Sequence, residues 1–482
     1  MLPHINIQTA SWHLKAVIPY PQNTALAEKV NEIMKKNALI QGTLILTAAG
    51  FLSRIIGFFY RIFLSRMFGA ENMGIYELIN PVLSLTFALC TSGIQSGISK
   101  FVAACPEDGS AKNRFRFLLT GLLFSGTLSL GCALFVYHGA DFIAAAWLSE
   151  DRCAPLLRIV ALSFPAACIH SCINGYFYGI KKAGLPAFCQ LFEQSFRVGS
   201  VFFFWNYAQL HQITFSISVA AVGLVIGEFA SMLFAIPATF FHFHKIRCAK
   251  ASFSNLSGPV SPGMQTPISY LKAGRQLLSF AVPLAANRMF LHLLSTLESS
   301  RIPVSLQKYG YSSSQALSIY GVFTGMAMTC IMFPSALTNS VSVLLMPLIA
   351  EADAAHNQRA IQEAVSKCVR FCLLMGFLCL AFFQISSSFI GTVLFHNELA
   401  GQFIRTLSFV CPVLYLNSTL FSILNGLGKT GHTFFINMAA LLVRIAFVYL
   451  AIPVWGMQGL FWGILAAQLL TTVSCYKILA FR

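Results

Sequence analysis

Charge is what this sequence has least of. Asp, Glu, Lys and Arg make up 10% of its 482 residues, with only 16 acidic against 32 basic. Soluble domains carry about a quarter of their residues charged, so a chain this poor in charge and 56% hydrophobic is no string of soluble domains. No GxxxxGK[ST] phosphate loop occurs, which excludes a P-loop ATPase built into the chain. Neither a Cys-x-x-Cys pair nor a Cys/His run of zinc spacing occurs, so no metal and no cofactor is expected. Fourteen cysteines are present, but Cys90, Cys132, Cys168, Cys172, Cys372 and Cys379 fall inside apolar runs, where a thiol acts as a small hydrophobe. The excess of 16 positive charges is scattered over short segments between apolar runs. That distribution encodes topology and sets nucleic acid aside as a partner.

What is abundant is long apolar sequence. Runs of about 20 apolar residues cross 30 Å of hydrocarbon, and such runs lie near 42–64, 77–101, 115–137, 156–178, 184–206, 214–241, 276–298, 318–350, 370–391, 403–425, 432–452 and 457–478. The expected fold is an all-α polytopic membrane protein of about 12 transmembrane helices. The first run is too long for a signal-peptide core and lacks a small-residue cleavage site, so it reads as a span. Residues 1–36 read as a cytoplasmic tail. Alternate loops differ in Lys and Arg: one side collects Lys112, Arg114, Lys181, Lys182, Lys272 and Lys429, while the other holds Arg66, Arg152, Arg301, Lys308 and Arg405. The positive-inside rule places both termini in the cytoplasm, and an even span count agrees.

The longest loop, 242–275, is basic and then rich in Ser, Pro and Gly, which is linker composition. It divides the chain into six-helix bundles at 37–241 and 276–482. At an offset of 247, Pro165 falls on Pro412, Gly179 on Gly426, Lys182 on Lys429, Gly184 on Gly431 and Arg197 on Arg444. Even-numbered repeats have parallel topology, and halves related in this way rock to open a shared cavity to either side. Pro81, Pro165, Pro283, Pro334 and Pro412 lie in or near the ends of spans, where they allow kinks.

Within the spans stand Arg54, Arg61, Arg158, Arg197, Arg288 and Arg444 against Glu77, Glu193, Glu228 and Glu298. A charge in hydrocarbon is costly unless it faces a partner or a polar cavity. An arginine-rich cavity favours an anion, and the planar guanidinium matches phosphate oxygens two at a time. The candidate anion-binding residues are therefore Arg54, Arg61, Arg197, Arg288 and Arg444. Glu193, Glu228 and Glu298 are candidates for coupling to sodium ions or protons. Competing structural roles are a Glu193–Arg197 pair one turn apart, snorkelling of Arg158 and Glu77 near span ends, and helix-to-helix hydrogen bonds for His170 and His292.

SRIIGFFYRIFLSRMFGAENMGIY, followed by TSGIQSGISKFVA, resembles the opening helices of the stage V sporulation protein B group of polysaccharide exporters. That group belongs to the multidrug/oligosaccharidyl-lipid/polysaccharide (MOP) exporter superfamily, which also holds the MATE transporters. The resemblance implies two six-helix bundles in a V and a bacterial plasma-membrane flippase. Its implied substrate is an undecaprenyl-diphosphate-linked saccharide or a peptidoglycan precursor. Ser53, Arg54, Gly57 and Phe58 match the SRxxGFxR pattern of related lipid II flippases, and Arg61 arrives one residue late, about 100° around the helix. Two rivals remain open. A cation-coupled multidrug exporter of the same superfamily needs carboxylates in its cavity. A membrane glycosyltransferase using lipid-linked sugars needs a catalytic carboxylate near the interface, where Asp141, Glu150 and Asp151 share a loop.

Overall fold

The computed structural model describes residues 24–105, 111–212, 216–254 and 268–480. Of the expected tail, 1–23 lie outside the described residues, as do 255–267 of the expected linker. The described residues are almost entirely helical and contain no strand. Helix α1, Thr24–Phe87, bends sharply at Gly69 (φ 75°) and runs through a π-helical stretch into α2, Gly93–Ala104. There follow α3 (Ala111–His138), the bent pair α4 (Cys153–Ala161) and α5 (Ser163–Gly179), α6 (Gly184–His211) and α7 (Ser218–Ser254). The second half comprises α8 (Tyr270–Tyr309), the broken sequence α9 (Ser313–Gly321), α10 (Met328–Met332) and α11 (Ser335–Ala354), then α12 (Gln358–Phe389), α13 (Glu398–Leu407), α14 (Cys411–Gly426), α15 (Thr430–Leu450) and α16 (Met457–Ala480).

Among the described residues nine helical stretches are long and apolar enough to cross a membrane, and ten if α4 and α5, bent by 43°, count as one crossing. One of the nine, Ile45–Ala104, has 60 residues. At 1.5 Å per residue it is about three times the hydrocarbon thickness, and its fold at Gly69 makes it two crossings. Helix α6 falls short on hydropathy because it carries Glu193, Gln194, Arg197, Asn206 and Gln209. It nevertheless packs between α1 and α7 as a full crossing. The crossings then number twelve, in two bundles of six.

The repeat is also visible in the backbone. At the same offset of 247, π-helical Ile143–Leu148 matches Ile390–Leu394, and the left-handed residues Ser149 and Lys181 match His396 and Gly428. The α4/α5 bend at Leu162 corresponds to the 3-10 turn Ser408–Val410. Pro165 and Pro412 follow those two breaks, and Pro334 sits at the break before α11. Proline supplies no amide hydrogen there, so interrupting the ladder costs less. Pro81 and Pro283 lie inside α1 and α8.

The loops that carry Lys112, Lys181, Lys272 and Lys429 share one end of the bundle, called the basic face here. Toward the opposite face one hydrophobic core joins both halves, from Tyr60, Leu78 and Leu157 to Leu317, Phe323 and Tyr415. Toward the basic face it divides. One cluster lies around Ile98, Tyr176 and Leu277, the other around Ile349, Cys372 and Ile423. The halves are thus fused at one face and parted at the other, except where α8 packs on α2 and α3.

Candidate functional site

Between the halves lies an open cavity of about 550 Å³. Its first-half wall is Ser53, Arg54, Gly57, Phe58 and Arg61 of α1 with Glu77 and Gln194, and its second-half wall runs from Thr324 through Met328, Thr329 and Met332 to Asn339. Ser53, Arg54, Gly57 and Arg61 recur at helical spacing, so a single face of α1 delivers them. Phe58 and Phe333 meet across the cavity at 4.7 Å between ring centroids.

The two cavity arginines differ. Arg61 Nη1 lies 2.7 Å from Glu77 Oε1 and donates to Thr329 Oγ1 at 3.2 Å. Asn80 holds the other Glu77 oxygen at 2.7 Å. The Arg61 charge is thereby balanced. Arg54 is exposed to the cavity, and among the described residues no carboxylate lies within ion-pair distance of it. The cavity therefore carries one positive charge without a carboxylate partner among the described residues, beside the neutral polar groups of Ser53, Gln194, Thr324 and Asn339.

The remaining sequence candidates fall into two other groups. In the first half Arg197 is 2.5 Å from Glu193 and 3.5 Å from Glu228, and Glu228 is 2.7 Å from His170 Nε2. The ligand atoms of His170, Glu193 and Glu228 lie within 4.8 Å of one another, a spacing that suits a cation. Arg197 already supplies that positive charge, so the donor set fits a proton better than a metal ion. In the second half Arg444 Nη2 is 2.6 Å from Glu298, which is 2% exposed. Both residues stand apart from Arg54, and Glu298 meets Arg444 rather than Arg288. Arg288 and Arg444 instead line a separate cavity. The structure thus brings Arg54 and Arg61 together, but not Arg197, Arg288 or Arg444 with them.

Sequence reasoning missed Gln194, Thr324, Thr329, Ser335 and Asn339. A signal was present in the polar positions Thr324, Ser335 and Asn339, which recur along one face of an otherwise apolar run. Of the loop carboxylates, Asp141 pairs with Arg158 at 2.5 Å and Glu150 with Arg152 at 2.6 Å.

Two pseudo-symmetric six-helix bundles around a polar cavity are the architecture of a membrane transporter, and the family models and relatives that match the chain place it in the MOP superfamily. The chain belongs to the family described as "Polysaccharide biosynthesis protein", whose model matches residues 39–353. A second model, MatE, matches 304–450. The chain is 27% identical to the stage V sporulation protein B of Bacillus subtilis (strain 168), over 91% of this chain and 83% of that protein. It is 22% identical to the lipid II flippase MurJ of the same organism, over 81% of this chain and 73% of that one. Its fold is similar to a solved structure of a lipid II flippase MurJ in an inward closed conformation, with a TM-score of 0.67 at 12% identity, covering 91% of this chain and 87% of that one.

Proposed function

We propose that this protein flips an undecaprenyl-diphosphate-linked saccharide or peptidoglycan precursor outward across the bacterial plasma membrane by alternating access. The observation that carries this reading is Arg54, an uncompensated cation in the cavity between two halves that part at one face. Arg54 holds the diphosphate, and Arg61 borders it while paired with Glu77. The polyprenyl tail stays in lipid. The names of the relatives, a sporulation protein and a lipid II flippase, support the substrate class. In this reading the basic face and both termini are cytoplasmic, so the cavity is open to the side where such lipids are charged with sugar.

An inside-negative potential moves anions outward, at about 2.3 kcal/mol per charge per 100 mV, so two charges gain roughly 4–5 kcal/mol. The emptied cavity then carries its positive charge inward on the return, down the same field. Glu193 and Glu228 share the single arginine Arg197, with His170 as the other partner of Glu228, and this group is the candidate site for coupling to a proton. Glu298, matched one to one by Arg444, is the weaker coupling candidate. The MatE match keeps a cation-coupled multidrug exporter as the second reading, but its carboxylate requirement is poorly met where Arg61 consumes Glu77.

The test is flipping in proteoliposomes. Wild-type protein should translocate undecaprenyl-diphosphate-linked sugar, Arg54→Ala should lose that activity, and neither should move an organic dye cation. Dye transport by both proteins, without lipid translocation, selects the exporter.

A further inference from the structure

The second-half cavity, of about 350 Å³, is lined by α8, α14, α15 and α16, and shares no lining residue with the cavity of Arg54. Its polar lining includes Arg288, His292 and Ser295 of α8, Asn437 and Arg444 of α15, and Gln468 of α16. The acid that reaches this group is Glu298, taken up by Arg444 at 2.6 Å. Arg288 lies in the middle of α8, too far from either end to snorkel, and among the described residues it has no carboxylate within ion-pair distance. Gln468 is fixed in turn by Asn417, whose side-chain amide donates to its oxygen at 2.6 Å.

An unpaired guanidinium within a span is tolerated when an anion or water meets it. From this lining we propose that the cavity is a second anion site, taking an oxyanion of the phosphate class on Arg288, with Arg444, Asn437 and Gln468 as further donors. The planar fork of Arg288 favours two oxygens of one ligand over a spherical halide. The inference rests on charge balance in this half and is independent of the transport reading.

The test is calorimetric binding of inorganic phosphate to the purified full chain in nanodiscs at constant ionic strength, with chloride as the comparison anion. Arg288→Gln is the informative variant because Arg288 is exposed and holds no other residue; Arg444→Gln would strand Glu298 and is avoided. Because Arg54 is read as the phosphate-holding residue of the first cavity, the second site is measured in the Arg54→Gln background, which should still bind phosphate. Arg288→Gln should bind about tenfold more weakly or worse, as loss of a charge-assisted hydrogen bond implies, and Asn437→Ala should weaken binding without abolishing it. Unchanged affinity in Arg288→Gln overturns the site. Loss of all phosphate binding in Arg54→Gln would overturn the second site in favour of the first cavity, and chloride binding as tight as phosphate would overturn the oxyanion assignment. Undecaprenyl diphosphate that leaves phosphate bound in Arg54→Gln would show that free phosphate, not the lipid, is the ligand here, whereas displacement in that background would assign the site to the lipid headgroup.

Discussion

Arg444 and Arg61 each neutralise a carboxylate that is nearly out of reach of water. Glu298 is 2% exposed and Glu77 is 7% exposed. Removing one partner of a buried pair leaves an uncompensated charge, at a cost of about 3–5 kcal/mol. Arg444→Ala should therefore lower the thermal unfolding midpoint markedly, and adding Glu298→Gln should restore much of it. Arg61→Ala should behave in the same way toward Glu77→Gln. Arg54→Ala removes no pair and should leave the midpoint nearly unchanged; a large drop would mean that Arg54 has a structural partner. These different fates were only partly legible in the sequence. Glu193 and Arg197 are four residues apart on one helix, so their pairing follows from helical geometry. Glu298 and Arg444 come from different helices, and no local pattern announces that they meet. His170 was legible as a helix-to-helix hydrogen bond, but not its partner Glu228.

At the scale of elements, the opposite face is closed where α1 crosses α9. A Cβ added to Gly74 would overlap the carbonyl of Leu317, and one added to Gly321 would overlap that of Ala70. Helices in lipid gain little from burying apolar area against each other, so close backbone approach is a large part of what holds them. Gly74→Leu or Gly321→Leu should wedge this face open, which spin labels placed across it would read as a lengthened distance. Beside the crossing, Glu71 accepts from Ser314 at 2.6 Å and pairs with Arg152 at 2.7 Å, while Arg66 donates to the Leu394 carbonyl at 2.6 Å. The Ser314 hydrogen bond, and then Arg152, hold the Glu71 carboxyl below the usual glutamate range. A carboxyl whose pKa is lowered in the closed form stabilises that form above its ordinary value and stops doing so as pH falls through the lowered one. The clasp should thus hold at neutral pH and loosen well below about pH 4.3. The same labels should report opening on acidification in wild type, and opening already at neutral pH in Glu71→Gln. The spans themselves were legible because apolar length is a strong signal. The break near Gly69 was legible as the gap between the runs 42–64 and 77–101; the π-helical stretches were not, since they depend on what packs against them.

The whole molecule has one core at the opposite face and two at the basic face. Offset repeats in the sequence made the two halves readable, because corresponding residues such as Arg197 and Arg444 must solve the same packing problem twice. The content of the central cavity was less readable. Of the five candidate arginines, Arg197 was readable as the partner of Glu193 four residues away; among the described residues pairing in three dimensions leaves both Arg54 and Arg288 without a carboxylate, and only Arg54 of these two lines the cavity between the halves. If the halves rock, a disulfide between cysteines placed at Glu71 and Ser314 should trap the present state and stop transport reversibly; full activity of the cross-linked protein would rule out opening at that face.

The most direct measurement is equilibrium binding of undecaprenyl-diphosphate-linked sugar to the purified protein, wild type beside Arg54→Ala, over a salt series. Wild-type affinity should fall as salt rises, because screening weakens a charge-dependent contact, and Arg54→Ala should bind weakly with little salt dependence. Equal affinity and equal salt dependence in the two proteins would contradict the assignment of Arg54 as the headgroup's anchor.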